Sequence, residues 1–392
     1  MSCATPAYHP FVKIVADENI PFVRQAFERL GDVVTASGRQ ITPEQVADAD
    51  ALLVRSVTKV NAELLDGSTV RFVGTATIGT DHLDTAYLDR RGITWAAAAG
   101  CNANSVAEYV VAALLVLARR GSFRLADKTL GVVGVGNVGS LVVRDARALG
   151  MNVLENDPPL QRQTHDRRFV AIERIFEADL VTLHVPLMRQ GPDATWHMVD
   201  AGFVSKLRAD SYLVNTSRGA VVDGSALRQA LQRQRLAGAV LDVWENEPDI
   251  DVELLELAAL GTAHIAGYSF DGKVTGTKMI HDAACRCFGL STEWDPRPLM
   301  PPPATPQLQI EPRGKHPQDV VASVVAAIYD IERDDADLRG VRGLPLDQRG
   351  YHFDRLRRDY PIRREFGNTR VIVPTDQPDV APTFEKLGFL VG

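Results

Sequence analysis

Short apolar runs alternate with helix-like stretches along most of this chain, and this alternation limits the fold more than any other feature of the sequence. A first series of runs covers residues 12–15, 51–54, 71–74 and 93–97. A second series covers residues 130–135, 152–155, 180–184, 211–215 and 239–243. Strands that alternate with helices form βαβ units, whose strands are parallel. We therefore predict an α/β protein with two doubly wound parallel sheets.

Helix-like stretches separate these runs, and the most apolar of them covers residues 106–118. Asn104 or Ser105 could cap this helix, which we expect to end near Arg120. The stretch contains Glu108 and is too short and too polar for a membrane span. Further helices are predicted over residues 21–30, 42–47, 61–65, 82–91, 136–149, 225–235 and 274–288.

Eight prolines lie between residues 291 and 317 and indicate an extended connection, because proline lacks a backbone donor and stiffens the chain. Beyond it, globular patterning resumes, and we predict a third, small α+β domain over residues 318–392. A small added domain can hardly bury an apolar helix face alone, so we expect this face to pair with a second copy of the chain. The face consists of Val320, Val321, Val324, Val325 and Ile328.

Composition excludes several classes of protein. The chain has 43 Lys and Arg against 50 Asp and Glu, a net charge of −7, and it lacks the basic footprint of a general nucleic-acid binder. Its four cysteines do not make a disulfide scaffold, and no His/Cys cluster completes a metal site. The first ten residues lack the pattern of a signal peptide. We expect a cytoplasmic protein without metal, nucleic-acid or membrane partners.

The strongest local motif is a glycine-rich turn that follows the apolar run 130–133 and opens a helix-like segment, the order that dinucleotide binding requires. Gly134 permits the tight turn, Gly136 lets a pyrophosphate approach the backbone, and Gly139 lets helix and strand pack closely. The start of the helix then offers unpaired N–H groups to the phosphates. Asn137 and Val138 complete this predicted cofactor-binding loop.

An acidic residue is expected about twenty residues after such a loop, at the end of the next strand. Asp157 follows Gly139 by 18 residues. A carboxylate there accepts both ribose hydroxyls and repels a 2′-phosphate, which favours NAD over NADP. The alternative interpretation is a solvated turn acid before Pro158.

Three later strands are each followed by a side chain suited to hydride transfer at a hydroxy-acid carbon. Arg218 can hold a carboxylate through two parallel hydrogen bonds. His264 can exchange the hydroxyl proton, and Glu247 can orient the imidazole and favour its protonated form. The alternatives are a surface arginine, a solvated turn acid like Glu245, and a structural histidine.

These motifs resemble the D-isomer-specific 2-hydroxyacid dehydrogenases, which carry a dinucleotide motif, then N-x-[SA]-R-G, then D-V-[WF]-x-x-E-P, then a His. Residues 215–219, residues 242–248 and His264 match in order and spacing, although Ala263 stands where the family usually has Pro, a departure expected to loosen the loop. The resemblance implies that Arg218 binds the substrate carboxylate, that Glu247 pairs with His264, and that His264 is the acid/base.

The same resemblance implies the domain organisation. A flavodoxin-like substrate-binding domain would cover residues 1–104 and be completed by residues 268–290. A Rossmann NAD-binding domain would cover residues 105–267. The proline-rich linker would cover residues 291–317, and the tail, residues 318–392, would be a dimerisation domain.

Within the family the match narrows to enzymes that oxidise 4-phospho-D-erythronate to (R)-3-hydroxy-2-oxo-4-phosphooxybutanoate with NAD, on the route to pyridoxal 5′-phosphate, as homodimers. It rests on residues 16–19, 54–60, 72–77, 100–103, 264–273, 329–335 and 353–358. The resemblance implies that the substrate is contacted by Ser56, Thr77 and Tyr268. It also implies that the NAD site is lined by Val185, Ser217, Asp242 and Gly267.

A terminal phosphate on the substrate needs charge-assisted donors. Arg55 is a candidate, next to Ser56 and with Lys59 one turn on, although an exposed basic turn fits these residues equally well. Arginines of the tail, among Arg355, Arg357 and Arg358, could also approach the phosphate. Two further hypotheses for the whole chain remain: a dehydrogenase for another 2-hydroxy acid such as 3-phosphoglycerate, and a non-catalytic NAD-sensing protein.

Overall fold

The computed structural model describes residues 12–291, 293–311, 313–374 and 378–392. These residues form two compact units. Unit 1 takes the described residues of Met1–Asn102 together with Phe270–Pro301, and unit 2 takes those of Ala103–Ser269 and Pro302–Gly392. The first ten residues, for which no signal peptide is expected, lie outside the described residues. The finer domain boundaries stay a prediction.

Unit 1 is built on a five-stranded sheet in which all neighbouring strands are parallel. The strand order is β2-β1-β3-β4-β5, the order of flavodoxin-like folds, and it confirms the flavodoxin-like prediction. The strands are β1 (Val12–Asp17), β2 (Gly31–Ala36), β3 (Ala51–Val54), β4 (Phe72–Thr75) and β5 (Thr94–Ala97). The helices between them are α1 (Val23–Phe27), α2 (Pro43–Val46), α3 (Ala62–Leu65) and α4 (Thr85–Arg90).

The sequence did not predict strand β2. It is an edge strand in which Gly31 and Val33 are buried while Asp32 and Val34 are exposed. An edge strand carries polar residues on its solvent face, so it lacks the continuous apolar run that marks a strand with both faces buried.

Unit 2 begins with helix α5 (Ala103–Gly121) and continues into a six-stranded parallel sheet of order β11-β10-β9-β8-β6-β7. Its strands are β6 (Thr129–Val133), β7 (Asn152–Asn156), β8 (Leu180–Leu183), β9 (Tyr212–Asn215), β10 (Gly238–Leu241) and β11 (Leu260–Gly261). Its helices are α6 (Asn137–Ala148), α7 (Pro158–Thr164), α8 (Ile172–Ile175), α9 (Ala201–Lys206), α10 (Gly224–Gln232) and α11 (Val252–Leu257). The predicted second doubly wound sheet is confirmed.

The predicted caps of α5 are wrong, because the helix already begins at Ala103 and both candidates lie within its first turn. The Ser105 hydroxyl donates instead to the carbonyl of Ala266, and the Asn104 amide donates to Glu108. Most of α5 is buried, as expected of a helix that is apolar on nearly all sides. None of the helices in the described ranges combines the length and apolar character needed to cross a membrane.

Helix α12 (Phe270–Phe288) returns to unit 1 and covers one face of its sheet. Val274 and Ile280 are buried in the same core as Ile14 and Phe72. Only glycine fits easily at position 74 of β4, since a Cβ there would lie 3.2 Å from the Cβ of Ile280.

The C-terminal part of unit 2 carries a small three-stranded parallel sheet with helices, which agrees with the predicted small α+β tail. Its strands are β12 (Gln307–Gln309), β13 (Arg370–Ile372) and β14 (Leu390–Val391). Its helices are α13 (Pro317–Ile328), α14 (Ile331–Arg339), α15 (Leu346–Arg358) and α16 (Ala381–Lys386). Strand β12 lies at the sheet edge, inside the predicted proline-rich connection.

The apolar face of α13 is covered within the chain itself. Val320, Val321, Val324 and Val325 are at most 2% exposed and share one core with the apolar residues of α5. The expectation that this face needs a second chain to cover it is therefore wrong: a long apolar helix of unit 2 supplies the partner surface.

Candidate active site

The predicted site residues follow the carboxyl ends of the parallel strands, the edge at which doubly wound sheets bind ligands. In unit 2 the glycine loop follows β6, and candidates follow each of the next five strands. In chain order these are Asp157, Val185, Ser217 with Arg218, Asp242 with Glu247, and His264 with Gly267 and Tyr268.

The glycine loop has the geometry that a dinucleotide requires. Gly134 has a φ of 86°, and its N–H binds the carbonyl of Asn156. No described atom lies within 4 Å of a Cβ built on Gly136, so a ligand can approach the backbone there. A Cβ on Gly139 would lie 1.9 Å from the Gly134 carbonyl oxygen, so only glycine fits. Because Gly136 caps α6 without a side chain, the first N–H groups of the helix can bind phosphate.

Two further candidates are Val185, which lies next to this loop, and Ser217, which follows β9. A Cβ on Gly134 would lie 2.9 Å from the Cγ1 of Val185, which places Val185 against the loop. Ser217 is buried, and its hydroxyl donates to the side chain of Asn215. The open backbone at Gly136 and the unpaired N–H groups at the start of α6 suit the phosphates of a dinucleotide.

Asp157 both caps a helix and holds the glycine loop. One carboxylate oxygen accepts the N–H of Leu160 at 2.9 Å, which caps α7. The other accepts the N–H of Val135 at 2.8 Å. A carboxylate has about four acceptor positions, so lone pairs remain for ribose hydroxyls.

Replacing Asp157 with Ser should keep the helix cap and remove the charge. We expect the preference for NAD over NADP, measured as the ratio of kcat/KM values, to fall about tenfold, the scale of one charged hydrogen bond. The thermal midpoint of the variant serves as the control for folding. An unchanged cofactor ratio would show that another residue reads the ribose.

Arg218 lies where the loops after β9 and β10 touch. Its guanidinium donates to the carbonyl of Ser217 at 2.8 Å, and the side chain is half-buried. Only glycine fits at position 219, because a Cβ there would lie 1.9 Å from the carbonyl oxygen of Trp244. The same Trp244 donates its N–H to Glu247, so one backbone segment links the loops of Arg218 and Glu247.

Glu247 and His264 form a hydrogen-bonded pair, with Nδ1 of His264 2.7 Å from Oε2 of Glu247. Burial alone would raise the pKa of Glu247. The charge and hydrogen bond of His264, the N–H of Trp244 and the charge of Arg357 lower it by more, so the pKa of Glu247 lies below its usual value. An ionised Glu247 accepts only, so Nδ1 of His264 is the donor and Nε2 carries the lone pair. The predicted pairing thus has the geometry of an oriented general base.

The loop that carries His264 is fastened by Asp242. His264 has a φ of 55°, a strained conformation for a residue with a Cβ. The buried carboxylate of Asp242 accepts the N–H groups of Ile265 at 2.7 Å and Ala266 at 3.1 Å, together with the hydroxyl of Thr262 at 2.6 Å. Burial raises the pKa of Asp242 against the opposing effect of these donors and of the charge on His264.

Tyr268 ends this loop and contacts Arg357, which the sequence analysis named only as one of three arginines of the tail. The guanidinium carbon of Arg357 lies 5.8 Å from the centre of the Tyr268 ring. Gly267 lies in the turn that the N–H of Tyr268 closes on the carbonyl of Ile265. The sequence does not single out Arg357 among these arginines, because the contact joins residues 268 and 357, which are 89 positions apart.

Three of the predicted substrate residues belong to unit 1. Ser56 is exposed just after β3. Thr77 follows β4, and its hydroxyl oxygen lies 2.8 Å from the hydroxyl oxygen of Thr75 at the end of that strand. Arg55 is engaged by the fully buried Asp17, with its Nε 2.8 Å from the carboxylate. The sequence analysis missed this ion pair, although Asp17 ends the neighbouring strand β1.

The comparisons with known proteins agree with this geometry. A family model described as D-isomer specific 2-hydroxyacid dehydrogenase, NAD binding domain, matches residues 110–266, and one described as a domain of unknown function (DUF3410) matches residues 299–388. An erythronate-4-phosphate dehydrogenase of Serratia proteamaculans is 44% identical over 380 residues, 97% of this chain and 100% of that protein. An erythronate-4-phosphate dehydrogenase of Salinibacter ruber is 48% identical over 365 residues, which cover 90% of this chain and 92% of that protein.

Among solved structures, the D-lactate dehydrogenase of Aquifex aeolicus complexed with NAD and lactic acid is similar at 26% identity and a TM-score of 0.58. The match covers 71% of this chain and 96% of that one. Fold, glycine loop and matched domain define an NAD-dependent dehydrogenase of the 2-hydroxyacid class. Within that class, the chain belongs to the erythronate-4-phosphate dehydrogenase family.

Proposed function

We propose that this enzyme oxidises 4-phospho-D-erythronate to (R)-3-hydroxy-2-oxo-4-phosphooxybutanoate, in the biosynthesis of pyridoxal 5′-phosphate. The observation that carries the proposal is the Glu247–His264 hydrogen bond, which orients a base at the same sheet edge as the glycine loop. The names and high coverage of the curated relatives support the choice of substrate.

The roles of the side chains follow from their chemistry. Arg218 binds the substrate carboxylate, and Nε2 of His264 takes the proton of the C2 hydroxyl. Glu247 stabilises the imidazolium that results. Bound NAD supplies the hydride acceptor, and the glycine loop with Asp157, Val185, Ser217, Asp242 and Gly267 forms its site. Ser56, Thr77 and Tyr268 contact the substrate.

Steady-state formation of NADH with a panel of purified 2-hydroxy acids tests this proposal. We expect the highest kcat/KM with 4-phospho-D-erythronate. A preference for 3-phosphoglycerate would identify a different dehydrogenase. NAD binding without turnover of any acid would identify an NAD-sensing protein instead.

We include Arg55 in the substrate site, where it would bind the terminal phosphate. Because Arg55 also pairs with the buried Asp17, replacing it should affect both substrate binding and stability. Arg55→Ala should raise KM for the phosphorylated acid about tenfold, the scale of one charged hydrogen bond. It should also lower the free energy of unfolding by about 1–3 kcal/mol, because Asp17 is left buried without its cation.

The double variant Asp17→Asn with Arg55→Ala separates the two effects. Removing the buried charge should restore much of the stability, while the increase in KM remains. If KM returns to the wild-type value together with stability, Arg55 supports the fold and the phosphate binds elsewhere.

We also propose that the enzyme is a cytoplasmic homodimer. Cys101, Cys285 and Cys287 form no disulfide among the described residues, which suits a reducing compartment. Leu346, Tyr351 and Ile362 are large exposed apolar side chains in or near α15, a surface on which a second copy could pack. Sedimentation equilibrium should give the mass of two chains, and the mass of one chain would contradict the proposal.

A further inference from the structure

Arg357 brings the C-terminal segment to Tyr268, at the end of the loop that carries His264. It lies in the last turn of α15, within the region that the family model of a domain of unknown function matches. Its guanidinium lies 5.8 Å from the ring centre of Tyr268 and 6.0 Å from that of Phe353, and it also forms a side-chain hydrogen bond with Tyr268. Its positive charge acts on Glu247.

The environment of Arg357 differs from that of its neighbours on the same helix. Its Nε is buried, and among the described residues no acceptor lies within hydrogen-bond reach of that atom. Arg355 and Arg358 are exposed, and Arg358 is bound by Asp359. An arginine that leaves a buried N–H unpaired costs stability, so this position is better explained by function than by folding.

The charged groups around Arg357 define what it can do. The carboxylates of Glu247 and Asp354 act on its charge, and Tyr268 accepts a hydrogen bond from it. Glu247 accepts hydrogen bonds from His264 and from the N–H of Trp244, whereas Arg357 acts on it through charge and not through a hydrogen bond. The positive charge of Arg357 can therefore act on the Glu247–His264 pair while its guanidinium holds Tyr268 in place.

We propose that Arg357 is a positioning residue of the active site, which holds Tyr268 at the end of the His264 loop and keeps a fixed positive charge beside the Glu247–His264 pair. The tail thus completes the catalytic unit of its own chain. The inference deepens the proposed function, since it assigns a role in the same site.

The direction of the electrostatic effect can be worked out. Oxidation needs a neutral His264, and a nearby cation disfavours protonation of the Glu247–His264 pair. Removing the cation favours protonation. The acid limb of the kcat/KM profile, measured against pH in the oxidation direction, should therefore move to higher pH in Arg357→Ala.

The experiment compares wild type, Arg357→Ala, Arg357→Lys and the control Arg342→Ala, which changes an exposed arginine of the same C-terminal region that pairs with Glu256. Arg357→Ala should lower kcat/KM about tenfold, because a displaced contact residue perturbs the reacting geometry, and should shift the acid limb upward. Arg357→Lys keeps the charge and should return the acid limb to its wild-type position, with only part of the rate. Arg342→Ala should match wild type, and the affinity for NAD should be unchanged throughout.

Two results would overturn the proposal: a profile for Arg357→Ala that keeps the wild-type acid limb, or a loss confined to the phosphorylated acid, which would make Arg357 a phosphate ligand. If Arg357→Ala does not fold, the same criteria apply to Arg357→Gln. The profiles are measured with whichever 2-hydroxy acid the wild type oxidises best. If the wild type does not oxidise 4-phospho-D-erythronate, the proposed substrate is wrong, but the role of Arg357 is still tested with the acid that is oxidised.

Discussion

Replacing His264 with Ala is expected to lower kcat by about a hundredfold or more at neutral pH, the usual scale for loss of a general acid/base. The ionised Glu247 fixes the proton of the ring on Nδ1, which leaves Nε2 to take the hydroxyl proton. Alanine removes that acceptor, and no other titratable side chain is hydrogen-bonded to Glu247 in the described structure.

NAD binding is the control for this variant, because the glycine loop lies on a different strand end from His264. Fluorescence titration with NADH should give a nearly unchanged Kd. Glu247→Gln keeps a side chain of the same shape but loses the charge, so it should reduce kcat less than His264→Ala. Turnover close to wild type in His264→Ala would remove His264 from the mechanism.

The sequence predicted the strands whose two faces are buried. It also predicted that the candidate site residues lie in the loops at the carboxyl ends of these strands. Runs such as residues 51–54 and 239–241 contain no polar position that could hide a strand, and the parallel connection then fixes which end carries the site. Strand β2 was missed because Asp32 and Thr35 break its apolar pattern. The start of α5 was placed late because its first turn is polar while its body is apolar.

Contacts between distant segments could not be predicted in this way. The sequence identified Glu247 and His264 as a pair through their motifs, but nothing in it shows that Asp17 holds Arg55 or that Arg357 reaches Tyr268. The apolar face of α13 illustrates the same limit. Periodicity shows that a face must be covered, and only the tertiary structure shows that α5 covers it.

Asp242 was predicted to line the cofactor site, and its hydrogen bonds indicate a further task. Ala263 stands where a proline would stiffen the chain before His264, so the loop depends on other restraints for its strained backbone. Asp242 provides them through the N–H groups of Ile265 and Ala266, and its carbonyl also accepts the N–H of His264 at 2.7 Å. The side chain is 1% exposed, so water cannot replace it.

Asp242→Ala should therefore lower the free energy of unfolding by about 3 kcal/mol, since it leaves several buried donors without an acceptor. It should also reduce kcat/KM by about a hundredfold, because His264 loses its fixed position. Urea denaturation and steady-state kinetics measure the two effects.

Asp242→Asn is the matched control for this prediction, because the amide keeps one acceptor oxygen but turns an NH₂ group toward the N–H of Ala266 or of Ile265. It should retain more stability than Asp242→Ala while still losing activity, since two donors now face each other in the loop. If both variants keep wild-type stability and kcat and only the Kd for NAD rises, Asp242 serves the cofactor alone, and the His264 loop is held in place by other contacts.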